Sequence, residues 1–113
     1  MIKKNNEIIA SRIVFCDSIF SKATGLRFRW IRNDQAYIFR FEKPQKVLMD
    51  MFFVFYPIDV IFLDKDKKII EIKQKFLPFS FYNSKKEASC IIELQNGSVD
   101  KFRLKIGEKI DID

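Results

Sequence analysis

From Met49 to Asp64 the chain runs M-D-M-F-F-V-F-Y-P-I-D-V-I-F-L-D, its longest apolar passage, and any fold it adopts has to bury most of it. It cannot cross a membrane as a helix. Asp50, Asp59 and Asp64 interrupt it, and its longest uncharged stretch, Met51 to Ile58, falls well short of the roughly 20 residues a spanning helix needs. A core position is expected, and no membrane partner. Pro57 cannot donate to a sheet ladder, so the pattern predicts one strand over about Met49 to Phe55 and another from Ile58, meeting at a corner.

The flanking sequence is mostly strand-like. Ile9, Ile13 and Phe15 share one face of an extended segment, and Tyr37, Phe39 and Phe41 alternate with Ile38 and Arg40. Asp64 to Lys67 joins Ile58–Leu63 to Lys68–Gln74 as a four-residue hairpin turn. Ala88, Cys90, Ile92 and Leu94 line one face of a strand, with Ser89 and Glu93 on the other. Lys109 to Asp113 forms a last strand. Two small helices interrupt the strands. One is capped by Asp17 or Ser18 and ended by Gly25; the other is capped by Asn96 or Ser98 and turns Val99, Phe102 and Ile106 inward. Lys75 to Lys86 has no period and is expected to be a long loop. These elements predict a mostly β, compact antiparallel β-barrel or two-sheet sandwich with two short helices, a single domain over 1–113 with a flexible start at 1–8.

What chemistry the chain can perform is narrowed by one absence. It has no histidine, so Ser-His-Asp and Cys-His catalysis is impossible within one chain, and the usual His/Cys transition-metal sites are nearly excluded. No metal and no cofactor are expected. The two cysteines, Cys16 and Cys90, lie far apart and form no C-x-x-C, so they are expected as buried thiols. The first residues are charged with no apolar region behind them, so a signal peptide is not expected and a cytoplasmic location is. Lysine and arginine exceed the acids by 21 to 15, which suits an anionic partner but equally a soluble Lys- and Ile-rich protein.

Several stretches together resemble the domain of unknown function 192 family. Met51, Val54, Pro57, Ile58, Asp59 and Ile61-Phe62-Leu63-Asp64 are similar to its W-M-x-x-T-x-x-P-L-D-x-x-F-x-D signature. Gly25-Leu26-Arg27-x-Arg29 resembles its G-L-M-x-R and Phe39-Arg40-Phe41 its F-V-F strand. Glu93-Leu94-x-x-Gly97 resembles its L-E-L-x-x-G, and Ile106-Gly107-Glu108 its closing I-x-x-G-D. Asp50, Val54 and Ala36 stand where many members carry Trp, Thr and Gly. The resemblance implies a compact β architecture and, by the family's own name, no established activity.

Asp59 is the sharpest candidate residue, because an isolated carboxylate among Ile58, Val60, Ile61 and Phe62 is expensive to bury without a partner. Arg29 and Arg40 are candidate partners, through a bidentate ion pair; the other structural role open to Asp59 is to cap backbone amides near the Pro57 corner. Arg29, Met51, Pro57 and Asp59 together make the expected ligand-binding set, with no catalytic residue assigned. The leading expectation is a module that binds an unknown small ligand or protein partner and lacks catalytic machinery of its own. One alternative is an enzyme using carboxylate and arginine chemistry at Asp59 and Arg29. A second is nonspecific single-stranded nucleic-acid binding through the basic, Phe-rich loop, with Lys73, Lys75, Phe79, Phe81, Lys85 and Lys86 as its surface. In that loop the phenylalanines are expected to be core cover rather than a contact surface.

Overall fold

In the computed structural model residues 1–16 and 30–113 are described. The passage Ile58–Leu63 is the strand on which the others are assembled, and all six of its residues are buried. Labelled in chain order, the strands are β1 Ile2–Lys4, β2 Glu7–Ala10, β3 Arg12–Phe15, β4 Gln35–Gln45, β5 Leu48–Asp50, β6 Ile58–Leu63, β7 Ile69–Phe76, β8 Phe81–Asn83, β9 Ala88–Gln95 and β10 Asp111–Ile112. Among the described residues there is one helix, α1 Ser98–Lys101. The expected first helix lies outside the described residues.

A five-stranded sheet of order β3-β4-β9-β6-β7 forms the middle layer. Because β6 and β9 are covered on both faces, apolar side chains project from both, and alternate residues feed two separate cores. Ile61, Leu63, Ile92 and Leu94 pack with Ile2, Ile9, Val99, Leu104 and Ile110, beneath the three-stranded sheet β10-β1-β2 and α1. Val60, Phe62 and Ile91 face the other way, against Met51, Val54, Phe76 and the two-stranded ribbon β5-β8. Cys90 and Cys16 are both buried, one in each core.

The closed barrel is not what forms. The sheet stays open, with β3 and β7 at its edges, and smaller sheets cover its two faces in a sandwich-like arrangement. Nor is it wholly antiparallel: β3 runs parallel to β4, which the long connection over 16–34 permits, since parallel neighbours need a crossover of a dozen or more residues. Residues 1–8, expected as a flexible start, include β1, whose Ile2 is fully buried between β2 and β10. The strand expected over Met49 to Phe55 ends at Asp50. Its backbone turns there because the Val54 amide bonds back to the Met51 carbonyl and Phe53 takes a left-handed φ of 61°. The expected loop Lys75 to Lys86 contains β8, paired with β5.

Helix α1 is shorter than its pattern suggested. Gly97, at φ 91°, starts it without a side-chain cap. Arg103, at φ 53°, ends it in a Schellman arrangement in which the Leu104 amide reaches the Val99 carbonyl at 2.9 Å. That reversal sends Leu104 into the core and leaves Ile106, expected inward, exposed.

Candidate functional site

Asp59 sits opposite Leu94 in the β6–β9 register, so it points toward the layer that holds α1. Between the pairs Ile58–Phe76 and Val60–Lys73 the β6–β7 ladder slips, leaving two residues, Gln74 and Lys75, opposite Asp59. Lys75 adopts a left-handed φ of 50°, and its amide donates to Asp59 Oδ1 at 3.0 Å. The Val99 amide, in the first turn of α1, donates to Oδ2 at 2.9 Å. Asp59 thus fixes a bulge 16 residues away and a helix start 40 residues away, capping a helix that has no cap of its own. Among the described residues it makes no ion pair. Arg40, the second expected partner, lies with its guanidinium 4.4 Å over the Phe15 ring; Arg29 lies outside the described residues.

Glu71 plays a similar part on β7. Its carboxylate accepts from the amides of Lys85 and Lys86 and from the Tyr82 hydroxyl, anchoring the chain just beyond β8. Burial, then the hydrogen bond to Glu71, pushes the Tyr82 phenol up to about 12.

Sequence reasoning missed the most perturbed acid. Glu93, on β9, is buried and lies beside Tyr37 and Val60 in register. Burial pushes its carboxyl up to about 8, with the negative charge of Asp50 adding to the rise. At neutral pH it is therefore mostly a neutral acid, able to donate a hydrogen bond. Tyr56 is close enough to feel its charge; burial, opposed by the Ile31 amide that its oxygen accepts at 2.8 Å, takes that phenol to about 12. Trp30 stacks on Tyr56 with ring centroids 4.7 Å apart. The alternation on β9 did place Glu93 opposite the apolar row. In a central strand, however, the opposite face is also core.

Of the other expected site residues, Met51 is buried and Pro57 half-buried. Met51 packs its side chain in the second core and also bonds through its backbone: its amide donates to the Ser80 carbonyl at 2.9 Å, and its carbonyl accepts from Phe79 at 2.8 Å and Val54 at 3.3 Å. These bonds clamp turn 51–55 to turn 77–81. The expectation that the Phe-rich stretch is core cover holds for Phe76, which is buried, and fails for Phe79 and Phe81, which are 48 % and 59 % exposed. Phe79 is the hub of an open aromatic cluster, with ring centroids 6.3 Å from Phe52, 6.1 Å from Phe53 and 5.6 Å from Phe55, all edge-on. Phe81 joins through Phe52 at 5.0 Å. Lys75, Lys85 and Lys86 are exposed, and Lys73 lies over the Tyr82 ring at 5.3 Å. Among the described residues no three His, Cys, Asp or Glu side chains converge as metal ligands, and no helix is long and apolar enough to cross a membrane.

The model of domain of unknown function 192 (DUF192), described as an uncharacterized ACR, matches residues 1–112. The chain belongs to the DUF192 family. Among its relatives, a UPF0127 protein of Thermococcus sibiricus is 30% identical over 110 residues, covering 96% of this chain and 71% of that protein. One from Pyrococcus horikoshii is 31% identical over 94 residues, covering 83% and 81%. Two solved structures share the fold, each with a TM-score of 0.82 over 88% of this DUF192 chain. One is a Sinorhizobium meliloti protein conjectured to regulate transcription, 22% identical and covered over 79% of its length. The other, of unknown function, is from Novosphingobium aromaticivorans, 20% identical and covered over 74%. In this DUF192 chain the motif residues Gly97 and Gly107 have φ of 91° and 96°, so a turn conformation open to glycine accounts for both.

Proposed function

We propose that this DUF192 domain is a non-catalytic binding module whose contact surface is the cluster Phe52, Phe53, Phe55, Phe79 and Phe81. The observation that carries this is the exposure of five phenylalanines on two turns clamped together by the Met51 backbone, since soluble monomers seldom leave such patches open without use. Two of the five, Phe53 and Phe79, hold left-handed φ values of 61° and 56°. For a bulky side chain this costs about 1–2 kcal/mol per residue, and strain of this kind concentrates at functional surfaces. Asp59 is engaged by two backbone amides, which supports a structural role for it and weakens the enzyme alternative at Asp59 and Arg29. The partner is a protein or other ligand not yet identified, and the proposal keeps the cytoplasmic location.

An open surface of this kind should bind anilinonaphthalene sulfonate in the native state. Phe79→Ser with Phe81→Ser should remove that fluorescence while the melting temperature stays within a few degrees of the parent. Absence of dye binding by the folded parent, or collapse of the variant's fold, would contradict the proposal.

A further inference from the structure

The arrangement of charge around the aromatic cluster indicates what it touches. The two segments that carry it, 43–55 and 73–86, hold six lysines against Asp50, with the exposed Glu42 and Glu87 adjoining them at the end away from the turns. The phenylalanines occupy the turns and the first residue of β8, whereas the lysines lie on β4 and β7 and just outside the far end of the ribbon. Lys73 and Lys75 are in β7. Lys46 precedes β5, and Lys85 and Lys86 follow β8, all three exposed. The ribbon pairs Asp50 with Phe81 next to the turns and Leu48 with Asn83 at its far end, so Lys46 and Lys85, each four residues back from that turn end, lie up to about 14 Å behind it at ~3.4 Å per residue, with Lys86 next in the chain. Apolar tips with cations set back behind them match the layering of a bilayer surface, where apolar side chains enter by about 5–10 Å and lysines meet the phosphates.

We propose that the DUF192 domain docks on anionic lipid surfaces through this face, with Phe52, Phe79, Phe81 and Leu77 entering the interface and Lys75, Lys85 and Lys86 meeting the headgroups. This rests on the contact-surface proposal above and names its partner. Leu77 is 52 % exposed and continues the patch. No spanning segment is involved, so the Asp-interrupted core strand is no obstacle. Other occupants fit less well. A second copy would bring two lysine-rich rims together, where like charges repel. Single-stranded nucleic acid binds by laying bases on open ring faces, but here the rings are packed edge to face around Phe79, which consolidates a wedge instead of presenting platforms. Clamping by Met51 also means the tips are ordered before contact, so little entropy is lost on docking.

The test is co-sedimentation of the whole chain with vesicles of phosphatidylcholine alone and with about one part in three phosphatidylserine. Each lysine at an anionic surface strengthens binding about fivefold, so the phosphatidylserine vesicles should bind at least ~10-fold more tightly, an advantage that disappears by about 0.5 M salt. Lys85→Gln with Lys86→Gln should weaken binding ~20-fold, and Phe79→Ser with Phe81→Ser by at least ~10-fold. Equal affinity for both vesicle types, or none for either, overturns the lipid proposal. So does a sedimentation-equilibrium dimer that the phenylalanine variant abolishes, or tighter binding to an oligothymidine or a Glu-rich aromatic peptide than to the anionic vesicles. If vesicles fail while the phenylalanine variant still folds and loses dye binding, the lipid assignment alone falls; if that variant unfolds, the contact-surface proposal falls with it.

Discussion

Glu93→Gln should raise stability at pH 8 by several kcal/mol and flatten its pH dependence. The folded protein holds this proton up to about pH 8, whereas the unfolded chain releases it near 4.5, as an ordinary solvated glutamate does. Between those values the native state therefore binds more protons than the unfolded state, and stability falls as pH rises through the window. Below about pH 4.5 the acid is neutral in both states and contributes nothing. Above about pH 8 the whole cost of a buried carboxylate is present, as much as about 5 kcal/mol at ~1.4 kcal/mol per pKa unit. Glutamine is neutral throughout and keeps the shape. Urea unfolding at pH 5, 6.5 and 8 checks this: the two proteins should be close at pH 5 and diverge upward, and parallel curves would contradict the assignment.

Asp59→Ala should destabilise the protein by about 3–5 kcal/mol, because it strands the Lys75 and Val99 amides in the interior and each charge-assisted bond contributes about 1.5–3 kcal/mol. Asp59→Asn, which can still accept one of the two, should lose roughly half as much. Hydrogen exchange localises the effect: the Val99 and Lys75 amides should lose protection before the β4–β9 ladder does. A loss under 1 kcal/mol would mean that Asp59 is kept for something other than these bonds.

Where the chain alternates regularly, its structure was legible. Ile58–Leu63, Tyr37–Phe41 and Ala88–Leu94 announce the strands of the central sheet, and Asp64 announces the hairpin, its Oδ1 accepting the amides of Asp66 at 2.8 Å and Lys68 at 3.0 Å. Asp59 was recognisable as a residue needing partners, but amides 16 and 40 residues away have no side-chain signature. Glu93 was placed on the right face of β9, but its burial was not legible, because alternation says which residues share a face and not whether that face is wet. Phe79 and Phe81 were misjudged for the opposite reason: composition predicts burial for phenylalanine, and only the left-handed turn at Phe79 and the short β8 register turn them outward. The parallel β3–β4 pair depends on a long connection that carries no pairing signal of its own.

The central claim is that the phenylalanine cluster is kept for contact and not for folding. The urea midpoint of Phe53→Gly with Phe79→Gly tests it most directly, since glycine relieves the left-handed strain at both positions while removing both rings. Strain relief of about 1–2 kcal/mol per site is offset by glycine's ~0.5–1 kcal/mol entropy cost and by the lost edge-to-face contacts, so the unfolding free energy should stay within about 1 kcal/mol of the parent or rise, and the midpoint with it. A loss of about 3 kcal/mol or more, the cost of truncating a buried phenylalanine, would show that these rings hold the fold together and would contradict the account.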